Sequence, residues 1–140
     1  EPVKADVFVT EATFGLQVFV HPDAGGEVAK LLDSLKDNPE NDHFIGAYSL
    51  GKAQRIIRIL RDLGHDDEIL LHGSMETLCS YYQSRGIELG QLAKLVDAGA
   101  RRKNGGSIII GPPSAINSAM IFVSAVILLC ATATTTICRR

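Results

Sequence analysis

Short apolar runs alternate with longer segments of helical periodicity along most of this chain. Runs rich in β-branched residues predict strands at residues 6–10, 43–49, 68–72 and 107–111. Helical spacing predicts helices within 21–37, 51–64 and 75–86, and a shorter one within 88–99. Because strands that alternate with helices of about 10–15 residues form βαβ units, we expect an α/β fold with a parallel sheet and helices on both faces.

Signals at the helix ends support this division. Asp23 is placed to cap the first helix, and Glu27 falls in its first turn. Gly64 follows the second helix and is expected to adopt the left-handed conformation that ends it. The apolar face of the second helix consists of Ala53, Ile56, Ile57, Leu60 and Leu63, and that of the third consists of Met75, Leu78, Cys79 and Tyr82.

Composition limits the class of protein and its partners. The 140 residues are 46% hydrophobic and 21% charged, which is typical of a globular chain with a core. A net charge of −2 gives no general attraction to nucleic acid, so any such binding would need a local basic patch. Three scattered cysteines form no CxxC pair and no signal peptide is recognisable, so we expect reduced thiols in a cytoplasmic protein. Because the first residue is Glu1, we expect the chain to begin inside a longer protein.

Polar residues follow three of the predicted strands. Glu11, Ser49 and His72 come at their carboxyl ends, where parallel α/β sheets bind ligands. The histidines show no spacing typical of metal ligands, so we expect no metal site within this segment. His72 is a candidate for lining a functional cleft, whereas His43 and His65 flank turns and are expected to be solvated.

The segment GAYSLGKA, residues 46–53, nearly matches a phosphate-binding loop. It has the form G-x-x-x-x-G-K between a strand and a helix. The next position is Ala53 instead of the Ser or Thr whose hydroxyl binds Mg²⁺, so we do not expect nucleotide hydrolysis. Two interpretations stay open: a tight strand-to-helix turn, or an anion site in which Ser49 and Lys52 contact a phosphate, including one of nucleic acid.

Two further basic clusters are candidates for weaker phosphate contacts. Arg101, Arg102 and Lys103 precede Asn104 and two glycines, which is typical of a solvated loop but also suits contact with a phosphate backbone. Along the second helix, arginines recur every third residue on a mostly exposed face, at Arg55, Arg58 and Arg61.

Four segments together resemble a known family. VFVTEATFG is similar to the strand-plus-acid motif ESTYG of nucleases that have a metallo-β-lactamase fold and a β-CASP insertion. AYSLGKAQRIIRIL resembles the family segment ALGRAQEL, and EILLHGSMETLCSYYQ and SIIIGPPSA resemble its later strands and helix. The ordered set covers about residues 3 to 116 and is most similar to the bacterial branch of ligase-associated DNA exonucleases and mRNA 3′-end processing factors.

The resemblance implies a function for the whole family protein and a division of this chain. It implies zinc-dependent hydrolysis of phosphodiester bonds in DNA or RNA by two zinc ions, with a DNA ligase and a helicase as possible partners and no membrane partner. Residues 1–22 would end the metallo-β-lactamase part, and residues 23–115 would be the Rossmann-like β-CASP domain. Residues 116–140 would be an atypical apolar tail.

Glu11 gains a role from the same resemblance. It matches the acid of the first β-CASP motif, a carboxylate that orients a histidine of the active site. The family motif H-x-H-x-D-H, expected upstream of Glu1, and the D-H-A-D type segment, expected downstream of Ala115, do not occur in these residues, so the zinc ligands are expected outside this chain. The chain alone is therefore expected to be inactive, and a Rossmann-like module that binds a nucleotide or another anion without catalysis is the alternative.

The tail departs from the family pattern. No charged residue occurs from Ile116 to Cys138. We favour an artefact, such as a frameshifted or wrongly joined end, over a buried strand or helix. A membrane anchor is the third interpretation, which the threonines of its second half weaken. An anchored interaction module follows as a further alternative function.

Overall fold

Helices and strands alternate in the computed structural model, which describes residues 4, 6–7, 23–98, 106–115 and 127–130. The helices are α1 (Ala24–Asp37), α2 (Lys52–Asp62), α3 (Gly73–Ser84) and the single turn α4 (Leu95–Ala98). The strands are β1 (His43–Gly46), β2 (Ile69–Leu71), β3 (Leu92–Lys94), β4 (Ile108–Gly111) and β5 (Ile127–Cys130). A short 3-10 helix, Pro113–Ala115, follows β4.

The five strands form one sheet in the order β3-β2-β4-β1-β5, and every pair is parallel. In the central pair, His43 of β1 lies opposite Ile108 of β4, and Gly46 lies opposite Gly111. Since the residues of these central strands are buried on both faces and mostly apolar, they suit a sheet that is covered on both sides. The predicted α/β fold with a parallel sheet is confirmed.

Alternate side chains along the central strands enter two separate apolar clusters. On one face, Ile45, Ile69, Leu71, Ile108 and Ile110 pack against residues of α1, α2 and α3. On the other face, three strand residues pack with Leu95 of α4 and with Ala115; they are Phe44, Leu70 and Ile109. Full burial of one such side chain contributes about 1.5–3 kcal/mol, so these strands anchor the fold.

The predicted signals at the helix ends are confirmed. The Asp23 carboxylate accepts a hydrogen bond from the Gly26 amide at 2.8 Å and caps α1. Gly64 adopts φ 83°, and its amide bonds to the carbonyl of Arg61 at 3.0 Å. The His65 amide bonds to the carbonyl of Leu60 at 3.0 Å, which completes the two-bond motif that closes α2.

The predicted helix at 88–99 is wrong. Leu92–Lys94 forms the edge strand β3, and only Leu95–Ala98 turns as a helix. The carbonyl of Gln91 accepts hydrogen bonds from the Ile69 amide at 3.1 Å and from Arg61 at 2.9 Å. These bonds to distant parts of the chain replace the i to i−4 bonds that a helix would need.

Two predicted regions are described only in small part. Of the strand predicted at 6–10, the structure describes Asp6 and Val7, which form a bend, and the rest lies outside the described residues. Within the apolar tail, Ile127–Cys130 forms β5 and pairs with β1. These four residues are therefore part of the sheet.

Candidate functional site

The neighbouring strands β1 and β4 continue onto opposite faces of the sheet. After β1 the chain enters α2, whose buried residues pack into the first cluster, whereas after β4 Ala115 packs into the second cluster. The carboxyl ends of two such strands border a crevice, the usual ligand position in open parallel sheets. We call this region the carboxyl edge and define it as Gly46–Lys52, His72–Ser74 and Gly111–Ala115.

The turn between β1 and α2 is closed by its own hydrogen bonds. The Gly51 amide donates to the Gln54 side-chain oxygen at 2.8 Å, and the Gln54 side-chain nitrogen donates to the Ser49 carbonyl at 2.9 Å. The Lys52 amide bonds to the Leu50 carbonyl at 3.0 Å. A phosphate-binding loop instead turns such amides toward its ligand, so this segment has the geometry of a tight strand-to-helix turn.

The backbone of this turn is closed by internal hydrogen bonds, whereas its larger side chains are exposed to solvent. Lys52 is exposed and its Nζ lies 5.0 Å from the centroid of the Tyr48 ring. Tyr48 is 58% exposed, and Leu50 is 66% exposed. Ser49 is partly buried at the centre of the same turn. Because Lys52 contacts an aromatic ring and not a carboxylate, it can pair with an anion without first breaking an ion pair.

His72 follows β2 and joins the same edge. Its amide donates to the Ile110 carbonyl at 2.8 Å, and its ring Nδ1 accepts from the Ser74 amide at 3.3 Å at the start of α3. The hydroxyl oxygen of Ser74 lies 2.8 Å from the same nitrogen. Because Nδ1 acts as the acceptor, the proton of the neutral ring lies on Nε2, which can then donate to a ligand.

The predicted site residues are thus only partly brought together. Ser49, Lys52 and His72 lie on the carboxyl edge. Glu11, and the basic cluster Arg101, Arg102 and Lys103, lie outside the described residues. Tyr48 was not among the predicted site residues, although a large aromatic residue inside a tight turn is the signal that would have identified it.

Within the part of the chain that the structure describes, no three His, Cys, Asp or Glu side chains are grouped so that they could hold a metal ion. That the zinc ligands of the family lie outside this chain stays a prediction. A cavity of about 100 Å³ between α3 and β3 is bordered by Glu76 and Lys94, which pair at 2.9 Å, and by Cys79. Burial raises the pKa of the Cys79 thiol, so this cysteine is a core residue and not a reactive one.

Two histidines at the amino ends of the strands are not placed as predicted. His43 is fully buried, and its ring contacts the Asn41 carbonyl at 3.0 Å and the Ser34 hydroxyl at 3.2 Å. His65 is 9% exposed, and its Nε2 has no hydrogen-bond partner among the described residues. Both were expected to be solvated, which is wrong. His43 is the first residue of β1 and contacts Ser34 of α1, and the backbone of His65 is bonded to Leu60 and Arg61 of α2.

Arg61 also differs from the expected exposed arginine face. Its guanidinium donates to four backbone carbonyls, those of His65 at 2.6 Å, Asp67 at 2.7 Å, Leu89 at 2.9 Å and Gln91 at 2.9 Å. Arg58 pairs with Asp62 at 2.7 Å and Glu88 at 3.5 Å. Arg55 and Arg58 keep the exposed positions expected for this face, and Arg61 does not.

Comparison with known proteins adds no identification to this geometry. No protein-family model matches the chain, and no curated protein matches it. Within the described ranges, none of the helices combines the length and the apolar character needed to cross a bilayer.

Proposed function

We propose that this chain is part of a zinc-dependent nuclease with a metallo-β-lactamase fold and a β-CASP insertion, which hydrolyses phosphodiester bonds in DNA or RNA. In this proposal the described α/β unit contacts the nucleic-acid backbone through its carboxyl edge. Glu11 would orient an active-site histidine of the complete protein. The ordered sequence motifs and the parallel α/β fold support the assignment, but a fold hosts many functions, so the site has to carry it.

The observation that carries the proposal is the charge of the carboxyl edge. The residues that define the carboxyl edge include Lys52 and His72 and contain no Asp or Glu. Glu76 follows in the first turn of α3, and its carboxylate pairs with Lys94 at 2.9 Å. The segments that enter the strands, in contrast, contain Glu40, Asp42, Asp66, Asp67, Glu68 and Glu88. The nucleic-acid backbone is negatively charged, so the carboxylates of the segments that enter the strands repel it. The residues of the carboxyl edge include no carboxylate, so phosphates are expected to contact the protein there.

The proposed role of these residues is binding and not bond cleavage. The H-x-H-x-D-H motif of the family does not occur in the 140 residues, so no zinc-bound nucleophile is assigned to them. Lys52 would place a positive charge near a phosphate, and the Nε2–H of His72 would donate to a phosphate oxygen. We therefore expect the chain alone to bind nucleic acid without cutting it.

The test is a titration of the 140-residue chain against short fluorescent single strands of DNA and RNA, followed by anisotropy at several salt concentrations. Lys52→Ala should weaken binding of every sequence and reduce the slope of log K against log salt by about 0.7, the value for one phosphate contact on a single strand. Lys36→Ala is the matched control, because Lys36 is an exposed lysine near the other end of the sheet, in the last turn of α1.

Two outcomes would contradict the proposal. Absence of DNA and RNA binding at low salt would remove the nucleic-acid role. Micromolar binding of ATP that is lost in Lys52→Ala would instead favour the nucleotide-binding module, for which the closed turn at Gly51 provides no open amide cradle.

A further inference from the structure

The turn after β1 presents an exposed aromatic ring on a hydrogen-bonded backbone. Tyr48 is 58% exposed, yet its carbonyl accepts a hydrogen bond from the Ala53 amide at 3.2 Å, so the residue is tied to the first turn of α2. The buried Gln54 side chain accepts a hydrogen bond from the Gly51 amide and donates one to the Ser49 carbonyl, so it connects these two residues of the turn. A rigid backbone under an exposed ring means that a ligand stacking there would lose little loop entropy.

One neighbour of the ring is a cation. Lys52 Nζ lies 5.0 Å from the Tyr48 ring centroid, over the face of the ring. Because the ring is more than half exposed, it still offers apolar aromatic area to a second planar group. Leu50, which is 66% exposed, extends this apolar surface within the same turn.

An exposed aromatic ring beside a lysine matches one class of ligand. Proteins that bind single-stranded nucleic acid combine positive charge for the backbone with aromatic rings on which bases stack. Duplex DNA hides its base faces within the stack, so it would use Lys52 but not Tyr48. The absence of Asp and Glu from the turn fits an anionic ligand and not a cationic or peptide-amine one.

We infer that Tyr48 is a base-stacking residue for single-stranded nucleic acid, positioned so that Lys52 contacts the neighbouring backbone phosphate. This inference rests on the proposed function and assigns within it a residue that positions the substrate strand. It predicts a preference for unpaired over paired nucleic acid and little preference among bases, because every base offers an aromatic face.

The experiment separates stacking from charge with two probes that carry the same phosphates. One is a fluorescent oligothymidylate, and the other is an abasic deoxyribose-phosphate oligomer of equal length. Tyr48→Ala should weaken binding of the oligothymidylate about tenfold and leave the abasic oligomer nearly unchanged. Tyr48→Phe should bind like the unchanged chain, since it keeps the ring. Tyr81→Ala is the matched control, because Tyr81 is also 58% exposed but lies well along α3.

The outcomes distinguish this inference from the proposed function. If the unchanged chain binds both oligomers equally and depends on Lys52, or if Tyr48→Ala has no effect on the oligothymidylate, stacking is overturned and phosphate contact stands. If Tyr48→Ala weakens both oligomers equally, Tyr48 acts only by holding Lys52, and stacking is again overturned. If the unchanged chain binds neither oligomer, both the inference and the proposed function fail.

Discussion

The two edges of the sheet use polar residues in opposite ways. At the amino edge, formed by residues 38–42, 63–68, 85–91 and 106–107, polar side chains bond to the backbone of other segments. The buried Asp42 carboxylate accepts from the Ser107 amide at 3.0 Å, and Arg61 joins two of the loops through four carbonyls. At the carboxyl edge, the side chains of Tyr48 and Lys52 are exposed, and only the backbone of these residues is held by hydrogen bonds.

This difference indicates which polar residues belong to the fold and which are available to a ligand. A charge that donates to several backbone carbonyls cannot be withdrawn for binding without removing the donor of each of them. A solvated lysine can change partners at little cost to stability. Substitutions at the amino edge should therefore change stability, whereas substitutions at the carboxyl edge should change binding alone.

The largest expected effect comes from Arg61→Ala. Because four carbonyls lose a charged donor, we expect the free energy of unfolding to fall by about 3 kcal/mol. Arg61→Lys should recover less than half, since one ammonium cannot reach carbonyls on both loops. Arg58→Ala on the same helix is the control, and its exposed ion pairs should contribute about 0.5 kcal/mol or less. Urea denaturation measures all three, and equal effects at Arg58 and Arg61 would contradict the distinction between exposed and bonded arginines.

Gly90→Ala should have the next largest effect. Gly90 has φ 70°, and a Cβ there would overlap the Arg61 guanidinium. Gly64 has φ 83° but no atom close to the position of an added Cβ, so Gly64→Ala isolates the backbone strain. We expect losses of about 2 kcal/mol for Gly90→Ala and about 1 kcal/mol for Gly64→Ala by urea denaturation. A smaller loss at Gly90 would mean that the Arg61 side chain moves aside without cost.

Local signals predicted much of this fold, because α2 and the central strands depend mainly on their own residues. The apolar periodicity of α2 and the left-handed Gly64 are readable within a dozen residues or so. The edge strand β3 was missed because Leu92–Lys94 is three residues long inside a helix-like pattern, and its pairing with β2 is a tertiary contact. Pattern within one segment cannot reveal bonds that form between segments.

The same reason explains the errors at the amino edge. Two of the partners of Arg61, Leu89 and Gln91, lie 28 and 30 residues away, so its spacing on α2 resembled that of an exposed arginine. His65 was expected to be solvated because it flanks a turn, and its burial depends on contacts beyond that turn. At the carboxyl edge, Ser49 and His72 follow β1 and β2, as the predicted strands implied, but the exposure of Tyr48 depends on how the closed turn orients it.

The two buried histidines predict a dependence of stability on pH. Burial is the main cause that lowers the pKa of His43 and of His65, while Asp66 and Asp67 raise the pKa of His65 and Arg61 lowers it. The unfolded chain binds protons at about pH 6.5, before the folded chain does. Stability is therefore complete above that pH and falls as the pH drops, by up to about 1.4 kcal/mol per unit for each histidine.

Unfolding by urea at a series of pH values measures this slope. His65→Gln and His43→Gln should each reduce the slope below about pH 6.5, whatever their effect on stability at neutral pH. Tyr81→Ala is a control that should leave the slope unchanged. A slope that persists in the double histidine variant would assign the acid sensitivity to other groups.

The smallest expected effect is that of Lys52→Ala on stability. The lysine is exposed, and its contact with Tyr48 is an exposed cation–π contact, so its removal should change the free energy of unfolding by about 0.5 kcal/mol or less. The same substitution should still weaken binding of nucleic acid, and that contrast separates a ligand-binding residue from a structural one. If Lys52→Ala lowered stability as much as Gly64→Ala does, the carboxyl edge would depend on its polar side chains as the amino edge does. The weaker binding would then report loss of structure, and the assignment of phosphate contact to this lysine would have to be withdrawn.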